Sequence, residues 1–273
     1  MRRIWLIADD YGITKPVNGA VRDLIANNRI NGTSVMVGAP GFDPQEAKLL
    51  LDAVAQARRA EIGLHFTLTS PFAPLSRDYG PTQQGKFLTL GRTMAAAVMG
   101  RLERMTLALE VQAQIDAFKA AFGRAPDYID GHQHVQLFAP VSDALLYVMR
   151  QEAPGAWVRQ CGRTGNAAYG DRKAWLLDFL SRRFRRRAAK LGIPTNTAFA
   201  GTYNFGPGAD FATLFPKFLN GLPENGLVMC HPGVVDGALA ALDPLTELRE
   251  REYAYFKGDA FPAVLAAHNV TLS

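Results

Sequence analysis

The 273-residue chain has only two cysteines, Cys161 and Cys230, far apart in the apolar stretches WVRQCG and GLVMCHPG. With no C-x-x-C spacing, a thiolate zinc ribbon and a dithiol redox centre are excluded. Both read as reduced core thiols of a reducing compartment. No apolar run approaches the roughly 18 residues of a membrane span. The stretch behind Arg2 and Arg3 stops at Asp9–Asp10, short of the roughly 7–15 residues of a signal-sequence core. A cytoplasmic location is expected. No G-x-G-x-x-G follows the first strand-like run, which ends in DDYG, so a dinucleotide fold is not favoured. Nucleic acid is disfavoured as well, because no recognition module or aromatic-basic platform is present. Repeats, low-complexity tracts and composition breaks are also lacking, so one domain over 1–273 is expected.

What is present is a core. Hydrophobic residues make up 48% and charged residues 20% of the chain, enough apolar surface to exclude global disorder. A formal charge of +5 is compatible with anionic ligands or surfaces. IWLIAD (4–9), TSVMVGAP, EIGLHFTL, YIDGHQHV, WVRQCG, TNTAFAG, GLVMCHPG and NVTLS read as eight short strands. Helical spacing lies between them, as in Val17, Val21, Leu24 and Ile25, with further helices near 172–191, 209–219 and 245–266. Alternating strands and helices imply a parallel sheet with helices outside it. Eight strands in this length match an α/β TIM-like (β/α) barrel, whose usual size is about 250 residues. The stretch 70–105 reads as a long loop insertion, the kind that forms binding loops or lids.

Only five histidines are present, and two fall in YIDGHQHVQ (128–136). On an extended strand Asp130, His132 and His134 would share one face. Three polar groups in an apolar run need partners, because an unpaired buried polar group costs roughly 1–3 kcal/mol. A metal ion would serve. The other unusual polar residues also fall at the carboxyl ends of predicted strands: Asp9 and Asp10 after the first, His65 late in the third, His231 after GLVMC. That rim is where sites assemble in barrels and open parallel sheets. Singly, each has a plainer role: a helix cap for the acids, a core site for His65, a turn for His231. His268, near a helix end, lies away from that rim.

One carboxylate and two imidazoles make a three-ligand set suited to Zn²⁺, Mn²⁺, Co²⁺ or Fe²⁺, with Mg²⁺ also admissible. A divalent ion acidifies water, and a spare carboxylate beside the ligand one can act as the base. The residue types specify metal-assisted hydrolysis. Glycoside cleavage by paired carboxylates gives no reason for the histidines. A two-metal phosphoesterase, an O-deacetylase and an inactive sugar-binding barrel remain as alternatives.

The ordered motifs IADDYGITKPVNGAV, NGTSVMVGAP, IGLHFTLT, PDYIDGHQHVQLFAPV and VMCHPG, spanning residues 4 to about 236, carry a resemblance. The sequence resembles the YdjC-like carbohydrate deacetylases, which include chitooligosaccharide deacetylases and a hopanoid-associated branch. The resemblance implies a TIM-like barrel, one divalent metal ion (Mg²⁺ or Zn²⁺) and hydrolysis of N-acetyl groups on glucosamine-containing sugars. By matching motif, Asp10, His65 and His132 would be the metal ligands and Asp9 the base. His231 would be the acid that protonates the departing amine, while Asp130 and His134 would orient their neighbours.

Two departures stand out. Many members continue D-G-H-x-H with a further histidine, where this chain has Gln136. The stretch RKAWLLDFLSRRFRRRAAK (172–190) is more basic than a barrel helix requires. It reads either as a solvated helix face or, through 182–190, as a contact with anionic lipid that would bring the protein to the inner face of a membrane. The sequence leaves the oligomeric state open, a homodimer included.

Overall fold

In the computed structural model, which describes residues 1–164, 172–206 and 208–272, seven short strands alternate with helices. They are β1 (Trp5–Tyr11), β2 (Gly32–Val35), β3 (Glu61–Phe66), β4 (Tyr128–Gly131), β5 (Trp157–Val158), β6 (Phe199–Ala200) and β7 (Leu227–Cys230). Their order is β5-β4-β3-β2-β1-β7-β6, and every pairing is parallel. Parallel neighbours need long crossovers. These are supplied by α1 (Lys15–Ala26), α2 (Pro44–Gln56), α3 (Leu90–Val98), α4 (Arg104–Phe122), α5 (Ala139–Glu152), α6 (Arg172–Lys190) and α7 (Phe211–Leu219). After β7 come α8 (Gly237–Leu242), α9 (Glu247–Lys257) and α10 (Ala260–Ala267).

The two edges of the sheet meet. Val158 N–H donates to Pro194 O (2.9 Å) and Phe199 N–H to Gly162 O (3.0 Å), and Val158 bridges Thr195 in parallel. The sheet therefore curls into a TIM-like barrel of seven strands. All seven residues of β1 are buried, as expected for a parallel strand covered on both faces. α1 turns Val17, Val21, Leu24 and Ile25 inward. Trp157 stacks on Trp5 (5.8 Å between centroids) and on Tyr128 (4.5 Å). Gly63 lies so close to the Tyr128 ring that a Cβ there would sit 2.4 Å from it.

Four expectations change. The eighth strand, NVTLS, is not in the barrel: Val270–Thr271 pairs with Arg2–Arg3 in a separate ribbon. β1 already has β2 and β7 on its two edges, so only the residues before it are available to the tail. YIDGHQHV is strand only as far as Gly131; His132–Leu137 form a helical turn, with Gln133 and His134 at φ of 55° and 60°. The shared-face argument for Asp130, His132 and His134 therefore fails beyond Gly131. The helix expected over 245–266 divides between α9 and α10 at Gly258 and Asp259. The insertion 70–105 is more regular than a loop: it holds the ribbon Thr82–Gln83 with Lys86–Phe87, followed by α3. Among the described residues, no helix is long and apolar enough to cross a membrane.

Candidate active site

Asp9 and Asp10 are neighbours on β1, and on a regular strand they would face opposite sides. They do not, because the register between β1 and β2 shifts between Ala8 and Tyr11 and Asp10 adopts φ 66°. Such a bulge turns the strand and aims both acids at one end of the barrel. Left-handed backbone costs a non-glycine residue of order 1–3 kcal/mol and persists where the surroundings hold it. Here the support comes from Asn18, whose Oδ1 accepts from Gly12 N–H (2.6 Å) and whose Nδ2 donates to Gly41 O (2.9 Å). Gly12, at φ 103°, has no room for a side chain: a Cβ would meet Met36 O at 2.8 Å. In the run from Asp9 to Asn18, the acids face the site while Gly12 and Asn18 hold the turn.

Asp10 sits at the centre. Its Oδ1 lies 3.2 Å from His65 Nε2 and 3.0 Å from His132 Nδ1, and the three residues form a convergent donor set. With metal–ligand lengths of about 2.0–2.2 Å, donors around one ion stand about 3 Å apart, so these residues fit a small divalent cation. The other Asp10 oxygen, Oδ2, pairs with Arg249 Nη2 at 2.6 Å, and the same nitrogen reaches Asp243 Oδ2 at 2.9 Å. Burial alone would raise the Asp10 pKa, but Arg249 and His132 hold it well below the usual carboxylate range.

His65 receives the support anticipated for His132. Its Nδ1 lies 2.6 Å from Asp130 Oδ1 and 3.1 Å from Ser34 Oγ, which directs Nε2 toward Asp10. Burial lowers the His65 pKa, yet Asp130 and Asp10 push it up to about 10. Asp130 is held below its usual value: burial opposes this, and Arg159 and His65 outweigh it. Asp9 is gripped by Arg159, with Nη1 to Oδ2 and Nη2 to Oδ1 both 2.7 Å. His134 lies apart from this set, with Nδ1 3.5 Å from Cys161 Sγ and its ring edge-on to Phe199. Gln136 is buried and donates to Arg159 O (3.3 Å), on the arginine side of the site.

His231 follows β7. Its backbone N–H donates to Glu252, its ring packs edge-on against Phe205, and its Nδ1 makes no hydrogen bond among the described residues. Burial holds its pKa below the ordinary value, with Arg249 helping and Asp10 and Asp9 opposing. Asp9, Asp10, His65, His132, His134 and His231 line one cleft of about 340 Å³, with Leu90, Phe205 and Met229 among its apolar walls. An ion, a water and a polar substrate with a small apolar group would find complementary surfaces there.

The profile of the YdjC-like protein family matches residues 3–267. The chain belongs to the YdjC-like family. It is 31% identical over 242 residues to a chitooligosaccharide deacetylase of Klebsiella pneumoniae, covering 86% of this chain and 84% of that protein. It is 26% identical over 275 residues to a carbohydrate deacetylase of Geobacillus stearothermophilus, covering 97% and 93%. The fold is shared with a putative cellobiose-phosphate cleavage protein from Enterococcus faecalis V583. That structure has a TM-score of 0.76 at 17% identity, over 100% of this chain and 97% of that one.

Two site residues escape a reading of the sequence. Arg159 had a signal, since an arginine inside a predicted parallel strand, WVRQCG, would be buried and need an acid partner; it is 0% exposed. Arg249 had none. It sits in ELREREYAYFK, where a charge looks like ordinary helix surface.

Proposed function

We propose that this member of the family is a metal-dependent hydrolase, a single domain over 1–273, that removes the acetyl group from an N-acetylhexosamine-containing sugar. The observation that carries this reading is the convergence of Asp10, His65 and His132 within reach of one ion, in the same cleft as Asp9 and His231. The names of the relatives supply the substrate class. In this reading Asp10, His65 and His132 hold the ion, with Zn²⁺ or Mg²⁺ as the candidates. When bound, such an ion supplies Lewis acidity toward the acetamide carbonyl and acidifies water.

The chain supplies the rest. Asp9 takes the proton of the attacking water, and Arg159 fixes both its oxygens so that the carboxylate is presented in one orientation. Attack on the carbonyl carbon and cleavage of the C–N bond leave acetate and an amine. The amine is a poor leaving group until protonated, and His231 donates that proton. Because burial keeps His231 neutral at rest, the proton it gives is one it gains during turnover. Leu90, Phe205 and Met229 shelter the acetyl methyl and exclude water.

One observation favours a second reading of the roles. Both Asp9 oxygens are engaged by Arg159, whereas His231 Nδ1 has no partner among the described residues; His231 would then be the base. The deciding experiment measures acetate release from N-acetylglucosamine oligomers and from one lipid-linked N-acetylated glycan. The protein is stripped of metal and reloaded with single ions. Metal-dependent release, retained metal in Asp9→Asn and loss of its turnover support the reading. Hydrolysis of an aryl phosphate with no acetate release would replace it with phosphoesterase chemistry.

A further inference from the structure

α6 buries one side only. Leu177, Ser181, Phe184 and Ala188 face the barrel. On the outside, Trp175 is 65%, Leu176 45% and Phe179 54% exposed, and Arg182, Arg183, Arg185, Arg186 and Lys190 follow, all exposed. At 100° per residue, Trp175, Phe179, Arg182, Arg186 and Lys190 fall on one stripe. Among the described residues Arg182, Arg183, Arg185, Arg186 and Lys190 make no ion pair, whereas Arg187, turned toward α5, pairs with Asp143 at 3.3 Å. Arg183 lies over the Phe179 ring at 6.0 Å, so the apolar and cationic parts are continuous. A helix that merely met water would not present three large apolar side chains beside five unpaired cations.

We propose that this face of α6 docks on an anionic lipid bilayer. Aromatic side chains settle at the headgroup level and arginines pair with lipid phosphates, the composition of a helix lying in the membrane plane. A nucleic acid would match the cations, but Leu176 and Phe179 would gain little from it. The attachment of α6 fixes the orientation. Cys161 N–H donates to Ser181 Oγ (2.9 Å), and Arg163 Nη2 meets Asp178 Oδ2 at 2.8 Å. These contacts tie the first half of α6 to the chain leaving the carboxyl end of β5. There Cys161 touches His134, which lines the cleft. Trp175 and Phe179 therefore lie toward the cleft end of the barrel, and docking brings the mouth beside the bilayer.

The experiment uses the full chain and vesicles of phosphatidylcholine, alone or in equal parts with phosphatidylglycerol. Of three tryptophans, Trp5 and Trp157 stack on each other, so Trp175 is the exposed reporter. The protein should sediment with the mixed vesicles only, with a blue shift of fluorescence that Trp175→Phe removes. Each basic residue near such a surface contributes a factor of about five, so Arg182→Ala with Arg186→Ala should lower partitioning about 25-fold. Acetate release from a soluble sugar should be unchanged in these variants. No sedimentation with mixed vesicles, or partitioning unaffected by the arginine pair, would overturn the proposal. Binding of duplex DNA without any shift on vesicles would assign the face to nucleic acid and overturn it too. A protein that binds vesicles but releases no acetate would keep this inference and lose the deacetylase reading.

Discussion

Arg159 closes on Asp9 with both outer nitrogens, each 2.7 Å from a carboxylate oxygen, and its Nη2 also lies 2.6 Å from Asp130 Oδ2. One fully buried cation thus joins the carboxylate proposed as base to the carboxylate that orients a proposed metal ligand. Arg159→Ala would strand two buried acids, and breaking such pairs costs about 3–5 kcal/mol. Urea denaturation should report a loss of that size. Arg159→Lys keeps the charge but not the fork. It should fold with a smaller loss and yet turn over at least about tenfold more slowly. Parent-like kcat in the lysine variant would show that Asp9 needs only a nearby charge.

Asp130 should control metal binding through His65. The parent His65, pushed up to about 10 by Asp130 and Asp10, carries a proton at neutral pH that an incoming ion must displace. Affinity should therefore rise with pH, by about tenfold per unit below that value. Asp130→Asn removes the charge that raises His65 and the partner that orients it. The dependence of its Zn²⁺ affinity on pH should be flatter, and the affinity that remains once His65 is deprotonated should be lower by about 10–100-fold because the ring is no longer oriented. Titration against a competing chelator at several pH values reads both effects. A parallel pH dependence in variant and parent would exclude the coupling.

His231 can be tested by the leaving group. An amine must be protonated to depart, whereas an aryl oxide leaves unaided. If His231 is the acid, His231→Gln should lose about 10²–10⁴-fold on an N-acetylated sugar while keeping most of its activity on an aryl acetate. Equal losses on both substrates would make it the base and reverse the roles assigned to His231 and Asp9.

Most of the barrel and the convergence of its polar residues were legible because both follow local rules. Strand-helix alternation puts the ends of successive parallel strands on one rim, so Asp9, Asp10, His65, His132 and His231 could be placed together from sequence position. What failed was geometry set by exceptions. The bulge at Asp10 and the left-handed Gln133 and His134 break the period-two rule, so Asp130 supports His65 while His134 turns toward Cys161. The eighth strand was misplaced because a short β-like tail carries no mark of its partner. Arg249 was illegible for a different reason: nothing in a charged helix says which charge is buried against Asp10.

Glu252 allows a stability measurement separate from catalysis. It is fully buried, accepts from Tyr203 Oη at 2.7 Å and from His231 N–H. Burial raises its pKa; Tyr203, His231 N–H and Arg249 pull it back only to about 7, against an ordinary 4.5. A carboxyl with a raised folded-state pKa stabilises the fold most below pH 4.5 and loses that contribution as pH climbs through about 7. A gap of this size corresponds to about 3 kcal/mol. Glu252→Gln keeps an acceptor for His231 N–H and cannot ionise. Its stability relative to the parent should rise by up to that amount between pH 4.5 and 8 in urea denaturation. If the two stability curves run parallel across that range, Glu252 ionises in the folded protein as readily as in the unfolded chain and burial does not raise its pKa.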